Sequence, residues 1–311
     1  MPPLVSVVIP AYNCAGYIGE ALASVFAQSY RPIEVLVIDD GSTDHTAEVV
    51  QGFTDVQLVF QPNLGPSAAR NHGIRLSQGE FIAFLDADDL WPVNKLAAQL
   101  SLLQRYPEAG LAFGDMCEFS AETGARLSMF ERYRLDEQYF GHRERVVNAV
   151  EKLMHMNFIP TGAVVARKPA LSGAGLFDEN RRLAEDWDLW LRLTLRFPIV
   201  YAAQVCELKR AHQQNVSKDL EAMTVAGLDV LEKFKRANGE ALEGKSAVAR
   251  RHLRNGYRNL GYFYLRQISL AKARQALLHS LSFGVDGRAL CYLGCTVLGP
   301  GMVRSLLRVR G

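Results

Sequence analysis

Asp86, Asp88 and Asp89 fall within four residues, directly behind the apolar run of residues 81–85. Carboxylates this close repel one another unless a cation or strong donors hold them. Asp86 and Asp88 suit Mg2+ or Mn2+, hard ions that take oxygen ligands and are shared with phosphates. Other residues complete a chemical set. Asp40, in Asp39-Asp40-Gly41-Ser42, can accept from a nucleobase N–H or a ribose hydroxyl. Tyr12, in Pro10-Ala11-Tyr12-Asn13, can stack on a base. Arg70 can reach a base or a phosphate. Plain structural readings stand beside these. Asp88 or Asp89 can cap a following helix, and Asp40 can be a turn residue beside Gly41.

The elements that position these residues alternate. Residues 4–9 read as a buried strand stopped by residues 10–13, and residues 17–26 as a helix with Ile18, Leu22, Val25 and Phe26 on one face. Strands are predicted at 33–38, 56–60 and 81–85. A helix capped by Asp44 runs through residue 50, and a loop of small residues at 63–69 leads into a helix holding Arg70, Asn71 and Ile74. A further helix covers 95–106, with Pro92 suited to its first turn, and a strand covers 110–119. This pattern predicts an α/β fold with a mostly parallel sheet and helices on both faces. Strand ends converge on one edge of such a sheet, and ligands bind there. Residues 120–145 lose periodicity and predict a lid or binding loop. A helix is predicted at 146–156, an extended stretch at 161–166, an amphipathic helix at 183–197 and a strand at 199–209. Beyond residue 213 only helices are predicted, near 219–236, 245–265, 269–282 and 287–308.

The chain has 311 residues, 49% of them hydrophobic, enough for a sizeable core. Its five cysteines are odd in number and scattered, which points to a reducing compartment and neither a disulfide framework nor a zinc site. No stretch approaches a membrane span, and no signal peptide is expected. A cytoplasmic protein is therefore expected. The net charge of +2 hides an asymmetry: residues 245–311 carry 12 lysines and arginines against one acid, so the remainder is net −9. Such a tail either meets an anionic surface or is a solvated helical face. Leu290, Leu293, Val297, Leu298, Val303, Leu306 and Leu307 beside Arg304, Arg308 and Arg310 would suit an anionic membrane surface. A terminal helix packed on the domain is the alternative, and Pro300 and Gly301 interrupt the pattern.

Residues 5–13 (VSVVIPAYN), 37–44 (VIDDGSTD), 63–73 (NLGPSAARNHG) and 84–89 (FLDADD) resemble, in order, the motifs of glycosyltransferase family 2. Residues 184–190 (AEDWDLW) resemble the family's acidic pair ahead of a helix, and 209–217 (KRAHQQNVS) the segment that often closes the catalytic domain. The resemblance implies the GT-A fold over residues 1–217, with a nucleotide-binding half at about 1–115 and an acceptor half at about 116–217. Residues 218–311 form an all-helical extension outside it. It implies inverting transfer from a nucleotide-diphosphate sugar, UDP favoured, to a hydroxyl of a glycan or lipid-linked acceptor, with no nucleic acid involved. By position it implies nucleotide contacts at Pro10, Tyr12, Asp40, Arg70 and Asp86. It implies Mg2+ or Mn2+ at Asp86 and Asp88, with Asp89 a helix cap or outer partner, and the base at Asp186. His212 is a candidate diphosphate or metal contact, while Glu185 and Trp187 are candidate acceptor contacts. Asp186 also reads as a surface helix cap, Trp190 as core, and His212 as structural.

Two further functions remain open on such a sheet. A sugar nucleotidyltransferase would carry a glycine-rich, basic loop after its first strand, but here no Lys or Arg precedes Arg31. A non-catalytic nucleotide-sugar binder would not need Asp86, Asp88 and Asp186 together. A dinucleotide-binding dehydrogenase is excluded, since no G-x-G-x-x-G follows a strand. The basic extension would place the enzyme peripherally at the inner face of a membrane.

Overall fold

The computed structural model describes residues 2–120, 124–141, 143–212, 219–239, 242 and 245–298. The chain divides into two compact units, Met1–Asn215 and Val216–Gly311.

The first unit opens with β1 (Val5–Ala11), α1 (Ile18–Phe26), β2 (Ile33–Asp39), α2 (Thr46–Gln51), β3 (Val56–Phe60), α3 (Pro66–Leu76), β4 (Phe81–Phe84), α4 (Lys95–Arg105) and β5 (Leu111–Ser120). It is completed by β6 (Gly124–Ser128), α5 (Met129–Tyr133), α6 (Glu137–Phe140), α7 (Ala149–His155), β7 (Val164–Arg167), α8 (Lys168–Ala174), α9 (Glu185–Thr194) and β8 (Ile199–Arg210). The sheet runs β3-β2-β1-β4-β7-β5-β6, with β8 also paired to β5. β3, β2, β1 and β4 are mutually parallel, as are β5 and β8. β7 is antiparallel to both its neighbours, and β6 is antiparallel to β5. The sheet is therefore mixed but mostly parallel.

Side chains alternate across a strand, so β1 is buried on both faces. Val5, Val7 and Ile9 join Leu22 of α1 and Leu96 and Leu100 of α4 in one core cluster. Val8 points the other way, against Gly73 of α3, where an added Cβ would lie 2.4 Å from Val8 Cγ1. Helices thus cover both faces, and α3 lies close against β1 because Gly73 leaves room.

Several boundaries move for identifiable reasons. β1 continues through Pro10 to Ala11. Val8 O faces β4, where it accepts from Leu85 N, so Pro10 also faces β4, beyond its last partner pair Val8–Phe84. A missing N–H there breaks no ladder bond. α3 starts at Pro66, its first helical residue, behind Gly65 at φ 93°. α4 starts after Asn94, so Pro92 precedes the helix, and neither Asp88 nor Asp89 caps it.

The expected unpatterned loop at 120–145 is instead largely built from short elements. β6 forms a hairpin with β5, and Ser128 and Glu131 make a reciprocal capping box on α5. Phe130, Phe140 and Phe158 gather around Phe113 at centroid distances of 6.2, 5.6 and 5.6 Å. Elements of four or five residues show no period in the sequence, and aromatic packing holds them. α8 was not anticipated either.

The second unit contains α10 (Leu220–Ala237), α11 (Ser246–Arg266), α12 (Leu270–Ser282) and α13 (Gly287–Cys295). Asp286 caps α13 and pairs with Arg258 of α11 at 2.7 Å. The residues expected to continue the last amphipathic stretch, among them Pro300, Gly301, Val303, Arg304, Leu306, Leu307, Arg308 and Arg310, lie outside the described residues. Among the described residues no helix is long and apolar enough to cross a membrane.

Candidate active site

The parallel run of β1, β2 and β4 brings their C-terminal turns to one edge. The turns behind β1 and β2 are laced together. Asn13, at φ 49°, accepts from Thr43 N at 2.8 Å and donates its own N–H to Ser42 Oγ at 3.0 Å. Pro10 sits at the end of β1, and Tyr12 stands beside it, 51% exposed. Asp40 is only 4% exposed. Its carboxylate accepts from Gln61 Nε2 (2.7 Å), Leu64 N (2.9 Å) and Gly65 N (2.8 Å). Asp40 therefore holds the loop behind β3, a task the sequence reading missed. A carboxylate has about four lone-pair sites, so one direction is left for another donor.

The three acids behind β4 have separate environments. Asp86 accepts from Arg70 at 2.7 Å. Burial works against its ionisation, but the guanidinium outweighs burial and holds the carboxyl below the usual carboxylate range. Asp88 Oδ2 lies 2.8 Å from His212 Nε2, and the His212 ring stacks on Tyr17 with centroids 5.1 Å apart. Asp89 is buried and accepts from Arg210 N at 2.7 Å. Burial, then the nearby charge of Glu207, pushes its carboxyl well up. Asp89 thus fastens β8 beneath the acidic turn. Arg210 adds to this, donating to Asp88 O at 3.0 Å and to Glu20 at 2.7 Å.

Asp186 occupies a different setting. It lies in the first turn of α9, behind Ala184 at φ 55°, a backbone region that a residue with a Cβ occupies only when its surroundings enforce it. Oδ2 accepts from Asn157 Nδ2 (3.1 Å) and Thr161 Oγ1 (3.3 Å), and Oδ1 from Trp187 N (2.6 Å). Burial, then the neighbouring Glu185 charge, raises its carboxyl to about 6. A general base works best near the operating pH. Glu185 pairs with Arg70 at 2.8 Å. Trp187 directs its indole N–H to Leu153 O at 2.8 Å, so that edge of the ring is committed to α7. Trp190 is fully buried, as a core residue should be.

Arg70 differs most from its expected place. Its side chain is 5% exposed, and both terminal nitrogens are taken by Asp86 and Glu185.

Residues 6–166 match the family described as Glycosyl transferase family 2. The chain belongs to this family. An uncharacterised glycosyltransferase of Rickettsia typhi is 25% identical over 281 residues, 89% of this chain and 86% of that protein. Several other curated relatives are spanned over 64% of their length or less. Among solved structures, Staphylococcus aureus TarS in complex with UDP-GlcNAc superposes with a TM-score of 0.69 at 19% identity, covering 90% of this chain and 80% of that one. The mannosyltransferase PcManGT of Pyrobaculum calidifontis, in complex with GDP-Man and Mn2+, superposes at 0.58 with 20% identity, covering 98% and 83%. These likenesses show a shared GT-A fold.

For this family 2 glycosyltransferase, the donor set can be tested against a divalent ion. Among the described residues no three His, Cys, Asp or Glu side chains form a closed cage. Mg2+ does not need one, because it is commonly held by one or two carboxylates together with substrate phosphates and water. Asp88 and His212 face each other at 2.8 Å and are the pair best placed to share a cation, while Asp86 is drawn toward Arg70. The residues present fit such an ion.

Several site residues carried no signal of their own in the sequence. Asn157 lies between the helix predicted at 146–156 and the extended stretch predicted at 161–166, and Thr161 opens that stretch but sits in a 3-10 turn ahead of β7. Glu207 and Lys209 belong to an ordinary strand, yet β8 places them below the acidic turn. Burial raises the Glu207 carboxyl to about 7. Burial opposes the charge on Lys209, but Glu207, Asp89, Asp86 and Asp186 together hold its ammonium above the usual range.

Proposed function

We propose that this enzyme moves a sugar from a nucleotide-diphosphate sugar, UDP favoured, to a hydroxyl of a glycan or lipid-linked acceptor, with inversion at the anomeric carbon. The observation that carries the reading is the pair of aspartates held in opposite charge settings, Asp86 by Arg70 and Asp186 by burial. Tyr12 stacks on the base, Pro10 shapes the turn that receives it, and the remaining acceptor direction of Asp40 takes a base N–H. Asp88 and His212 would hold Mg2+ or Mn2+, which would supply charge stabilisation for the departing nucleoside diphosphate. Asp186 takes the proton of the acceptor hydroxyl, since a neutral hydroxyl is a poor nucleophile. One base acting opposite the leaving group gives a single displacement and therefore inversion. Fixing donor and acceptor together removes much of the entropic barrier.

A thermal-shift screen of nucleotide sugars with Mn2+ tests this reading. A UDP-sugar is expected to raise the melting temperature of the wild type but neither that of Asp88→Ala nor that of protein in EDTA. No shift with any nucleotide sugar would overturn it.

We also propose that residues 245–311 bring the enzyme to an anionic membrane surface carrying lipid-linked acceptors. The support is 12 basic residues against one acid, with Val285, Leu290 and Val297 exposed alongside. Flotation with phosphatidylserine vesicles at low salt is the test; protein left at the bottom of the gradient would refute it.

A further inference from the structure

We propose that Arg70 is a positioning residue that ties the two reactive turns together, one guanidinium joining Asp86 behind β4 to Glu185 beside Asp186. This rests on the reading of Asp186 as base and Asp86 as a donor-side acid. Arg70 comes from α3, an element that supplies neither acid. Its NH2 reaches Asp86 Oδ1 at 2.7 Å and its NH1 reaches Glu185 Oε1 at 2.8 Å. The guanidinium also lies over the Phe177 ring, 5.5 Å from its centroid.

The rest of α3 acts on the same segment. Ser67 Oγ donates to Arg181 O at 3.0 Å. Asn71 brackets Phe177, donating to its carbonyl at 2.9 Å and accepting its N–H at 3.0 Å. One face of one helix therefore grips residues 177–185 at three levels, and Arg70 is the level that also reaches the donor side. The fork is needed because a planar guanidinium can serve two carboxylates in fixed directions, whereas an ammonium on a flexible stem cannot set their spacing. Without the cation, Asp86 and Glu185 would each lose a charged partner, leaving Asp86 only the more distant Lys209 charge, and Glu185 would repel Asp186 more strongly.

The charged groups acting on Asp186 are Glu185, Arg70 and Lys209. The test combines two readouts in wild type, Arg70→Gln, Arg70→Lys and Glu185→Gln. One is the affinity for UDP with Mn2+ by calorimetry. The other is the titration of the Asp186 carboxyl by carbon-detected NMR. Arg70→Gln is expected to weaken UDP–Mn2+ binding about tenfold and to move the first protonation of Asp186 up by about 1 pH unit. Arg70→Lys is expected to fall between wild type and Arg70→Gln in both. Glu185→Gln is expected to move the Asp186 midpoint the other way, below the wild-type value of about 6, and to change UDP affinity less than Arg70→Gln does. A role in stability alone would not give titration shifts of opposite sign. Unchanged binding and an unchanged Asp186 titration in Arg70→Gln would overturn the proposal. If that variant does not fold, a Glu185→Gln midpoint at or above the wild-type value overturns it. If the wild type does not bind UDP with Mn2+, the donor-site reading fails, and the Asp186 titrations still decide the Arg70 linkage.

Discussion

Asp86 and Asp186 are the same residue type, and Arg70 links their two turns, yet their carboxyls are pushed in opposite directions. Asp86 touches the Arg70 guanidinium and is held ionised. Among the described residues Asp186 accepts from neutral donors, Asn157, Thr161 and the Trp187 N–H, and burial lifts it to about 6. Direct contact with a cation makes a permanent anion, suited to the donor side. A neutral hydrogen-bonded pocket makes a carboxyl that can take a proton. The two carboxyls thus differ in charge setting because they differ in which partner reaches the carboxylate, and the proposed roles of donor-side acid and base rest on that difference.

Four measurements separate the two carboxyl settings. The largest expected effect is Asp88→Ala, which should abolish transfer and also weaken Mn2+-dependent nucleotide binding; retained turnover would remove the acidic turn from the mechanism. Next comes pH. With Asp186 as base near 6, the maximal rate should be level above about pH 7 and fall about tenfold for each pH unit lost well below 6; a rate independent of pH down to 4.5 would contradict the assignment. A smaller effect concerns stability. An Asp raised in the folded state binds more protons folded than unfolded, so stability falls as pH rises from about 4 to about 6. Asp186→Asn escapes that loss, and should melt higher than wild type at pH 8 by about 1–3 kcal/mol of stability, with the gain vanishing below about pH 4. The fourth probes the floor of the donor side. An added Cβ at Gly162 would lie 2.6 Å from the buried Glu207 carboxyl, so Gly162→Ala should destabilise by about 1–3 kcal/mol in denaturant titration.

Residues 1–115 were legible in the sequence because their elements are long enough to show a period and their acids sit where strands end. Val56–Phe60 falls where it was read, and the turns behind β1, β2 and β4 converge as parallel pairing requires. Residues 120–145 were not legible, although α7, α9 and β8 fall close to the helices and strand expected at 146–156, 183–197 and 199–209. α5 and α6 have five and four residues, too few for a hydrophobic period to appear. Asn157 and Thr161 reach Asp186 only through tertiary packing across more than twenty positions. Arg70 stands out as a candidate in the sequence, but its partners do not, since Glu185 lies 115 positions away. Charge-bearing residue types can be read locally; which charges meet is decided by tertiary packing.

In the proposed mechanism Asp186 supplies the base while the strand-end acids hold the donor. Asp186→Asn assayed for turnover and for UDP–Mn2+ affinity on the same protein tests it most directly. The expected result is a loss of about 10²–10⁴-fold in turnover with nucleotide affinity within about twofold of wild type. Wild-type turnover in Asp186→Asn would contradict it.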